Sequence, residues 1–292
     1  MGSRVFFCCF AAKVKLKEGG PEFLNTVFSV TDKKTGWYTS KDVFLPLEDN
    51  VKVENEKLII TNDYCSMNAD LNEMVLTAKN EECSLKVTVE PKGYVLYNGG
   101  SGYFPILIMK ENHHYSLPYF TMKGELVRDG KTIPLEGKCW FDRQIDNLYY
   151  KLDENGQPLS PGKWTWLGIS IEDGPAISIW DYTDDNGQNN CFASILNRDG
   201  KQVVEAIDSV IATATDVFVS DKTGQNYPTR FTVKIPVSNM TLEITPATEA
   251  QEIISANPQL NKYEGQSIVK GIIAGKEVTG TCCVELVGNW QK

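Results

Sequence analysis

Histidine is almost absent from this sequence, because its only two copies are the neighbours His113 and His114. The eight cysteines form no Cys-x-x-Cys motif, whereas protein zinc sites usually combine several His and Cys ligands at such spacings. A Gly-x-Ser-x-Gly segment is also missing, which removes the nucleophile of one large class of hydrolases. We therefore expect no metal site and no hydrolase of that class.

Positive charge and long apolar runs are scarce as well. The net charge of -9 and the pI near 4.9 work against partners that are recognised through their phosphates, such as nucleic acids. No run reaches the roughly 18 apolar residues of a membrane-spanning helix. Eight cysteines in 292 residues are too few for a disulfide scaffold. We expect a cytoplasmic protein with reduced thiols that binds no nucleic acid and spans no membrane.

Short β-rich runs between Gly, Asn and Asp residues make up most of the sequence. Turn signals recur roughly every 8–12 residues, a spacing typical of antiparallel barrels and sandwiches. Only the segment 248–256 favours a short helix. A polar stretch rich in Gly and Pro, residues 153–162, lies near the midpoint. The sequence predicts an all-β protein with two domains, residues 1–152 and 163–292.

Two segments about half a chain apart share one spacing. Gly137 and Gly280 are each followed by a cysteine at the second position and by a carboxylate at the fifth, Asp142 and Glu285 respectively. Similar hairpins can produce such a match by coincidence. Alternatively, two barrels follow one plan, in which the two carboxylates occupy equivalent places.

A carboxylate beside an indole is the strongest catalytic signal. If residues 139–144 form a strand, the two-residue period places Trp140, Asp142 and Gln144 on one face. Burial against aromatic surface disfavours the charged form of a carboxyl group, so an acid in this position can donate a proton to an alkene or a carbonyl. The alternative is that Asp142 pairs with Arg143 or with a backbone turn.

Two further segments concentrate aromatic residues. Trp164 and Trp166 share one face of a strand that is apolar or small on both faces, which predicts cover on both sides, either by core or by a ligand cavity. Residues 113–120 combine both histidines with three rings. Adjacent strand residues cannot both face one pocket, so at most one histidine can assist Asp142 or orient water. A surface role for the pair is the alternative.

Taken together, these motifs resemble the carotenoid hydratase (hydroxyneurosporene synthase) superfamily, which includes kievitone hydratase and lipocalin-like Diels-Alderases. The matching stretches keep family order between about residues 98 and 288: His114-Tyr115-Ser116-Leu117-Pro118, Trp140-Phe141-Asp142-Arg143-Gln144, Trp164-Thr165-Trp166, Tyr263-Glu264-Gly265 and Val284-Glu285-Leu286-Val287-Gly288. The sequence departs from the family where Ile145-Asp146 replaces a Trp-Gly pair and Cys282-Cys283 replaces a Gly-Tyr pair. These changes leave the substrate open.

The resemblance implies two tandem lipocalin-like (calycin) barrels with a hydrophobic ligand site near their junction. It also implies that the acid of the motif Trp140-Phe141-Asp142 protonates a double bond, and that Tyr115 lies in a region lining the site. We expect a cofactor-independent enzyme, a monomer or homodimer, that hydrates, isomerises or cyclises an apolar small molecule. The expected catalytic residues are Asp142, Trp140, Tyr115 and His114, and the expected substrate-binding residues are Tyr119, Gln144, Trp164, Trp166 and Glu285. A non-catalytic carrier of a hydrophobic ligand is the alternative.

Overall fold

The computed structural model describes residues 5–15, 19–107, 109, 111–146, 154, 162–184 and 186–291. These residues form β-strands connected by short turns, with two single-turn 3-10 helices. The strands of the N-terminal half are β1 (Val5–Lys15), β2 (Glu22–Asp32), β3 (Trp37–Pro46), β4 (Val51–Glu54), β5 (Lys57–Thr61), β6 (Cys65–Ala69), β7 (Met74–Lys79), β8 (Cys83–Glu90), β9 (Leu96–Tyr97), β10 (His113–Arg128) and β11 (Lys131–Ile145).

The strands of the C-terminal half are β12 (Trp164–Ile171), β13 (Ala176–Thr183), β14 (Asn189–Leu196), β15 (Gln202–Ala206), β16 (Val217–Val219), β17 (Asn226–Pro228), β18 (Phe231–Ile235), β19 (Met240–Pro246), β20 (Glu252–Ile253), β21 (Lys262–Ile273) and β22 (Lys276–Val287). The 3-10 helices are Ile211–Thr213 and Pro258–Leu260. The prediction of an all-β protein is confirmed.

The N-terminal half encloses one core between two antiparallel sheets. Strands β1, β2 and β3 form a three-stranded sheet, and a second sheet runs in the order β11-β10-β8-β7-β6-β5-β4, with β9 paired to β10. Phe28 of β2 packs with Leu85 and Val87 of β8 and with Phe120 of β10 in one buried cluster. The alternating pattern of β8 thus directs every second side chain inward.

The C-terminal half wraps a nine-stranded sheet around its own core, in the order β15-β14-β13-β12-β22-β21-β19-β18, with β20 paired to β21. Leu167, Ile179, Leu242 and Val284 lie fully buried in this core. Strands β12 and β13 are buried on both faces almost throughout, which confirms the expectation for Trp164–Ile171. Their outward faces pack against the N-terminal half, and this contact positions the site described below.

The repeated spacing seen in the sequence corresponds to two similar hairpins, β10–β11 and β21–β22. Gly124 and Gly271 each lie where a neighbouring strand approaches most closely. A Cβ atom at Gly124 would lie 2.1 Å from the carbonyl oxygen of Lys86, and one at Gly271 would lie 2.2 Å from that of Thr241. Both positions therefore require glycine for the same reason, which favours the interpretation that the two halves follow one plan.

Substitution of Gly124 by Ala is expected to lower the free energy of unfolding by about 2–3 kcal/mol, because the new methyl group overlaps backbone that cannot move independently. Gly137→Ala is the matched control, since its Cβ would meet nothing closer than the end of the Met122 side chain at 3.8 Å; we expect a change within about 1 kcal/mol. Urea denaturation curves give both values. Equal effects of the two substitutions would contradict the close-approach argument.

The helix predicted for residues 248–256 is wrong, because this segment is irregular apart from the two residues of β20. The cause is the fully buried side chain of Gln251. Its amide oxygen accepts from the hydroxyl of Thr31 at 2.9 Å and from the backbone N–H of Gln266 at 2.8 Å. Its amide nitrogen donates to the carbonyl of Thr248 at 2.7 Å. These tertiary contacts outweigh the local helix propensity.

Several other predictions concern the chain as a whole. The stretch 153–162 falls mostly outside the described residues, so the domain limits 1–152 and 163–292 stay a prediction. In the part of the chain that is described, no helix is long and apolar enough to cross a membrane. All eight cysteine thiols are free. Burial raises the pKa of Cys139 and that of Cys191 to about 12, so these two thiols are weak nucleophiles near neutral pH.

Candidate active site

The outward face of the C-terminal sheet carries one continuous row of large side chains. Cross-strand pairing places its members side by side in the order Phe192, Trp180, Trp166, Glu285 and Glu264. Paired residues point to the same face of a sheet. The tryptophans of this row pack with Phe104 and Trp164 in a cluster against which Trp140 of the N-terminal half also packs. We call Phe104, Trp140, Trp164, Trp166 and Trp180 the ring cluster.

Asp142 lies where the ends of β10 and β11 meet the ring cluster. Its Oδ1 atom accepts a hydrogen bond from the Ser116 hydroxyl at 2.5 Å and lies 2.8 Å from Nε2 of His114. Ser116 accepts in turn from the side-chain amide of Asn98 at 3.2 Å. Among the described residues, Oδ2 of Asp142 has no hydrogen-bond partner. Oδ2 is therefore the oxygen of this carboxyl group that is available to a ligand.

The surroundings of this group are aromatic on one side and open on the other. The His114 ring is 3% exposed, and its centroid lies 5.5 Å from that of Trp180 and 6.4 Å from that of Trp166. The Asp142 side chain keeps 30% of its surface exposed. The adjacent His113 is exposed, and its ring packs at a tilted angle against that of Tyr103 instead, with 5.0 Å between the centroids. Only one histidine of the pair thus faces Asp142.

A β-bulge on β10 explains why His114 and Ser116 reach this site. Between Leu117 and Phe120 two residues of β10, Pro118 and Tyr119, stand opposite one residue of β11. The extra residue reverses the faces of the strand, because side chains alternate with a period of two. Even-numbered residues after the bulge point into the N-terminal core, as Phe120 does. Before it, His114 and Ser116 point outward to the junction between the two halves.

The other predicted site residues of this region, Tyr115, Tyr119 and Gln144, do not all lie beside Asp142. Tyr115 shares its face with Leu117, which packs against the N-terminal core, so it is not brought to Asp142. The Tyr119 hydroxyl donates to the carbonyl of Leu196 at 3.0 Å and accepts from the N–H of Ala176 at 3.1 Å. Tyr119 therefore joins the two halves. Gln144 lies on the Asp142 face, where its amide donates to Asn112 at 2.8 Å.

A second group of charges adjoins the ring cluster at its other end. The indole N–H of Trp164 donates to Glu285 at 2.8 Å, and Glu285 stands opposite Glu264 across the β21–β22 pair. Lys262 forms an ion pair with Glu264 at 3.0 Å. Burial raises the pKa of Glu264 to about 8, with Lys262 opposing the shift and Glu285 adding to it. Glu264 therefore keeps its proton to a higher pH than an ordinary carboxyl group does.

An open cavity of about 300 Å³ adjoins the ring cluster. It is lined by Pro105, Leu107, Tyr182, Asp184, Asn186 and Asn190. Leu107 and Tyr182 also pack against the ring cluster, so this cavity lies at the edge of the cluster, although none of the five rings lines it. Within the described ranges, no three His, Cys, Asp or Glu side chains are arranged to hold a metal ion.

The structure brings together Asp142, His114, Trp140 and both tryptophans of β12, which the sequence predicted as site residues, with Ser116, Asn98 and Trp180, which it did not. Trp180 was detectable, because the mostly apolar run Ala176–Thr183 is typical of a strand buried on both faces and follows β12 directly. Ser116 needed knowledge of the bulge, and Asn98 lies in a glycine-rich loop without regular periodicity.

Three solved structures are similar to this chain. Kievitone hydratase from Nectria haematococca superposes with a TM-score of 0.80 at 19% identity, covering 99% of this chain and 85% of that one. A putative AttH from Nitrosomonas europaea gives 0.75 at 19% identity, with 98% and 86% covered. CghA in complex with Sch210972 gives 0.57 at 12% identity, with 99% and 88% covered. These similarities confirm the lipocalin-like fold that the resemblance implied.

Sequence comparison agrees with the structural one. Dehydratase asqC of Emericella nidulans is 28% identical over 232 residues, which are 75% of this chain. The matched part covers 62% of that protein, so this chain corresponds to less than two thirds of its relative. The sequence profile described as AttH-like matches residues 19–289. The superfamily suggested by the motifs is thereby confirmed, and the chain belongs to the AttH-like family.

Proposed function

We propose that this protein is an enzyme that adds water to, or removes water from, a small ring-containing molecule by proton transfer, with Asp142 as the general acid. The observation that carries this proposal is the arrangement around its carboxyl group. Ser116 and His114 both contact one oxygen, Oδ1, and leave Oδ2 for the substrate. Trp140 shares the strand face of Asp142, and its ring centroid lies 5.9 Å from that of Trp166. Proton donation to an electron-rich carbon requires such a setting.

The reaction follows from these positions. In hydration, Oδ2 of Asp142 transfers its proton to one carbon of a double bond, and the adjacent carbon becomes electron-poor. The ring face of Trp140 stabilises this positive charge, while the hydrogen bonds from Ser116 and His114 stabilise the new carboxylate. Water then adds to the second carbon, and the proton that it loses returns to Asp142. Dehydration is the same sequence in reverse, so no electrons are gained or lost.

The relatives favour water as the second reactant over isomerisation or cyclisation. One is named a dehydratase and another a hydratase, and these two reactions are the two directions of one equilibrium. The enzyme class thus proposed is a lyase that acts without a cofactor. Trp164, Trp166 and Gln144 would contact the substrate, whereas Tyr119 would act by holding the two halves together.

The experiment that tests this function uses isotope exchange. The protein is incubated in water enriched in heavy oxygen with a mixture of aryl-substituted alkenes and the corresponding alcohols, and the products are analysed by mass spectrometry. We expect heavy oxygen to enter the alcohols faster than with heat-denatured protein. Recovery of a bound compound in stoichiometric amount, with no isotope incorporated, would instead identify a carrier and reject the enzyme.

A further inference from the structure

The four tryptophans of the ring cluster differ in how their N–H groups are used. Trp164 donates to Glu285 at 2.8 Å, and Trp166 donates to the Ser178 hydroxyl at 2.9 Å. The indole nitrogens of Trp140 and Trp180 are buried and have no acceptor among the described residues. Trp180 as a whole is 2% exposed. Two buried donors in one cluster are thus left unsatisfied by the protein itself.

Buried N–H groups without an acceptor reduce the stability of the folded protein, so their presence indicates that another requirement keeps tryptophan at these two positions. Burying an N–H group without an acceptor costs about 1–3 kcal/mol, and more than 90% of buried polar groups in proteins are paired. A phenylalanine at either position would keep most of the ring surface and avoid this cost. The N–H groups of Trp164 and Trp166 in the same cluster do have protein acceptors, the side chains of Glu285 and Ser178. Unsatisfied indole N–H groups are therefore not a general property of this cluster.

A third donor lies at the edge of the same cluster. Asn112 is fully buried, and its side-chain oxygen accepts from Gln144 at 2.8 Å. Its side-chain nitrogen has no acceptor among the described residues. Gln144 also contacts the sulfur of Met109 at 3.7 Å, and Met109 is a member of the buried set around Trp180. The unsatisfied nitrogens of these three residues can only donate, so each of them lacks an acceptor. Two other buried atoms of the site, Oδ1 of Asn98 and Nδ1 of His114, also have no partner among the described residues, and the Asn98 oxygen can only accept.

We infer that the ligand of the ring cluster is a planar ring compound that carries a carbonyl or comparable oxygen, which accepts hydrogen bonds from the indole N–H groups of Trp180 and Trp140. This inference rests on the proposed use of the cluster as the substrate site, and it defines the substrate class more narrowly. A pure hydrocarbon offers rings but no acceptor. The apolar small molecule expected from the sequence would then carry at least one oxygen acceptor.

The test compares two rigid ring compounds that differ in one oxygen, fluorenone and fluorene, by equilibrium dialysis against the full-length protein. We expect the wild-type protein to bind fluorenone roughly tenfold more tightly than fluorene. Trp180→Phe and Trp140→Phe should each reduce this preference several-fold by weakening fluorenone binding, with fluorene binding unchanged. Trp37→Phe is the control, because its indole N–H already bonds to Glu82 at 3.0 Å, and it should leave the preference intact.

A second measurement needs no substitution at a buried position. In wild-type protein labelled with nitrogen-15 at tryptophan, fluorenone should shift two of the six indole N–H signals downfield, whereas fluorene should not; the count follows from the six tryptophans. Equal affinity for both compounds, or no binding of either up to its solubility limit, would overturn the inference. Neither readout involves turnover. A failure of this inference can therefore be distinguished from a failure of the proposal that Asp142 is the general acid.

Discussion

Replacement of Asp142 by Asn is expected to lower kcat by about 10²- to 10⁴-fold, the usual contribution of a positioned proton donor. The amide keeps the size of the side chain and can still accept hydrogen bonds from Ser116 and His114, so the fold and the ring cluster stay intact. The amide cannot carry an acidic proton on the atom that replaces Oδ2. Binding of the substrate should change far less than turnover, because the ring surface that contacts it is unaltered.

The control for this substitution is Asp221→Asn, which makes the same chemical change at an exposed position. Single-turnover rates and unfolding curves of both variants separate a chemical effect from a structural one. Ser116→Ala, which removes only one hydrogen bond to Asp142, should fall between the wild type and Asp142→Asn. Turnover by Asp142→Asn within a few-fold of the wild type would exclude this residue as the acid.

Replacement of Glu264 by Gln should abolish a large pH dependence of stability. The pKa of Glu264 rises from its ordinary value of 4.5 to about 8, first because of burial and then because of Glu285, against the opposing effect of Lys262. Between pH 4.5 and about pH 8, Glu264 of the folded protein retains a proton that the same residue releases in the unfolded chain. The free energy of unfolding of the wild type therefore falls as the pH rises through this window, by on the order of 4 kcal/mol.

Lys262 adds no pH dependence of stability within this window. Burial acts to lower its pKa, but the two carboxyl groups outweigh burial and raise it, so its stabilising effect persists throughout the window and is lost only at higher pH. Urea denaturation of the wild type and of Glu264→Gln at pH 5, 6, 7 and 8 measures the difference. Glu277→Gln, an exposed change on the same hairpin, should retain the wild-type slope. A Glu264→Gln variant with an unchanged slope would contradict the raised pKa of Glu264.

Much of the architecture was predictable because it depends on local alternation. The strand that holds Trp140 and Asp142 on one face, and the strand buried on both faces at Trp164 and Trp166, both follow from a period of two. The repeated hairpin was also visible, because Gly137 and Gly280 precede a cysteine and a carboxylate at the same spacings. These features are encoded within a few neighbouring positions.

The remainder depends on contacts between distant segments. Gln251 lies in a non-helical segment because it bonds to Thr31 and Gln266, and no local pattern reports such partners. The partners of Asp142 are likewise set by the pairing of β10 with β11. A regular pairing would place Leu117 opposite Asp142, whereas the observed register places Ser116 there. Sequence spacing alone could not distinguish these two registers.

The bulge at Pro118 and Tyr119 has a consequence for how this site can change. The number of residues in that short stretch decides which side chains reach the junction, independently of which residues they are. Insertion of a single residue between Leu117 and Pro118, with the bulge unchanged, would place Leu117 opposite Asp142 and turn His114 and Ser116 toward the barrel interior. A one-codon insertion would thus replace the polar side chains beside Asp142 with Tyr115 and Leu117.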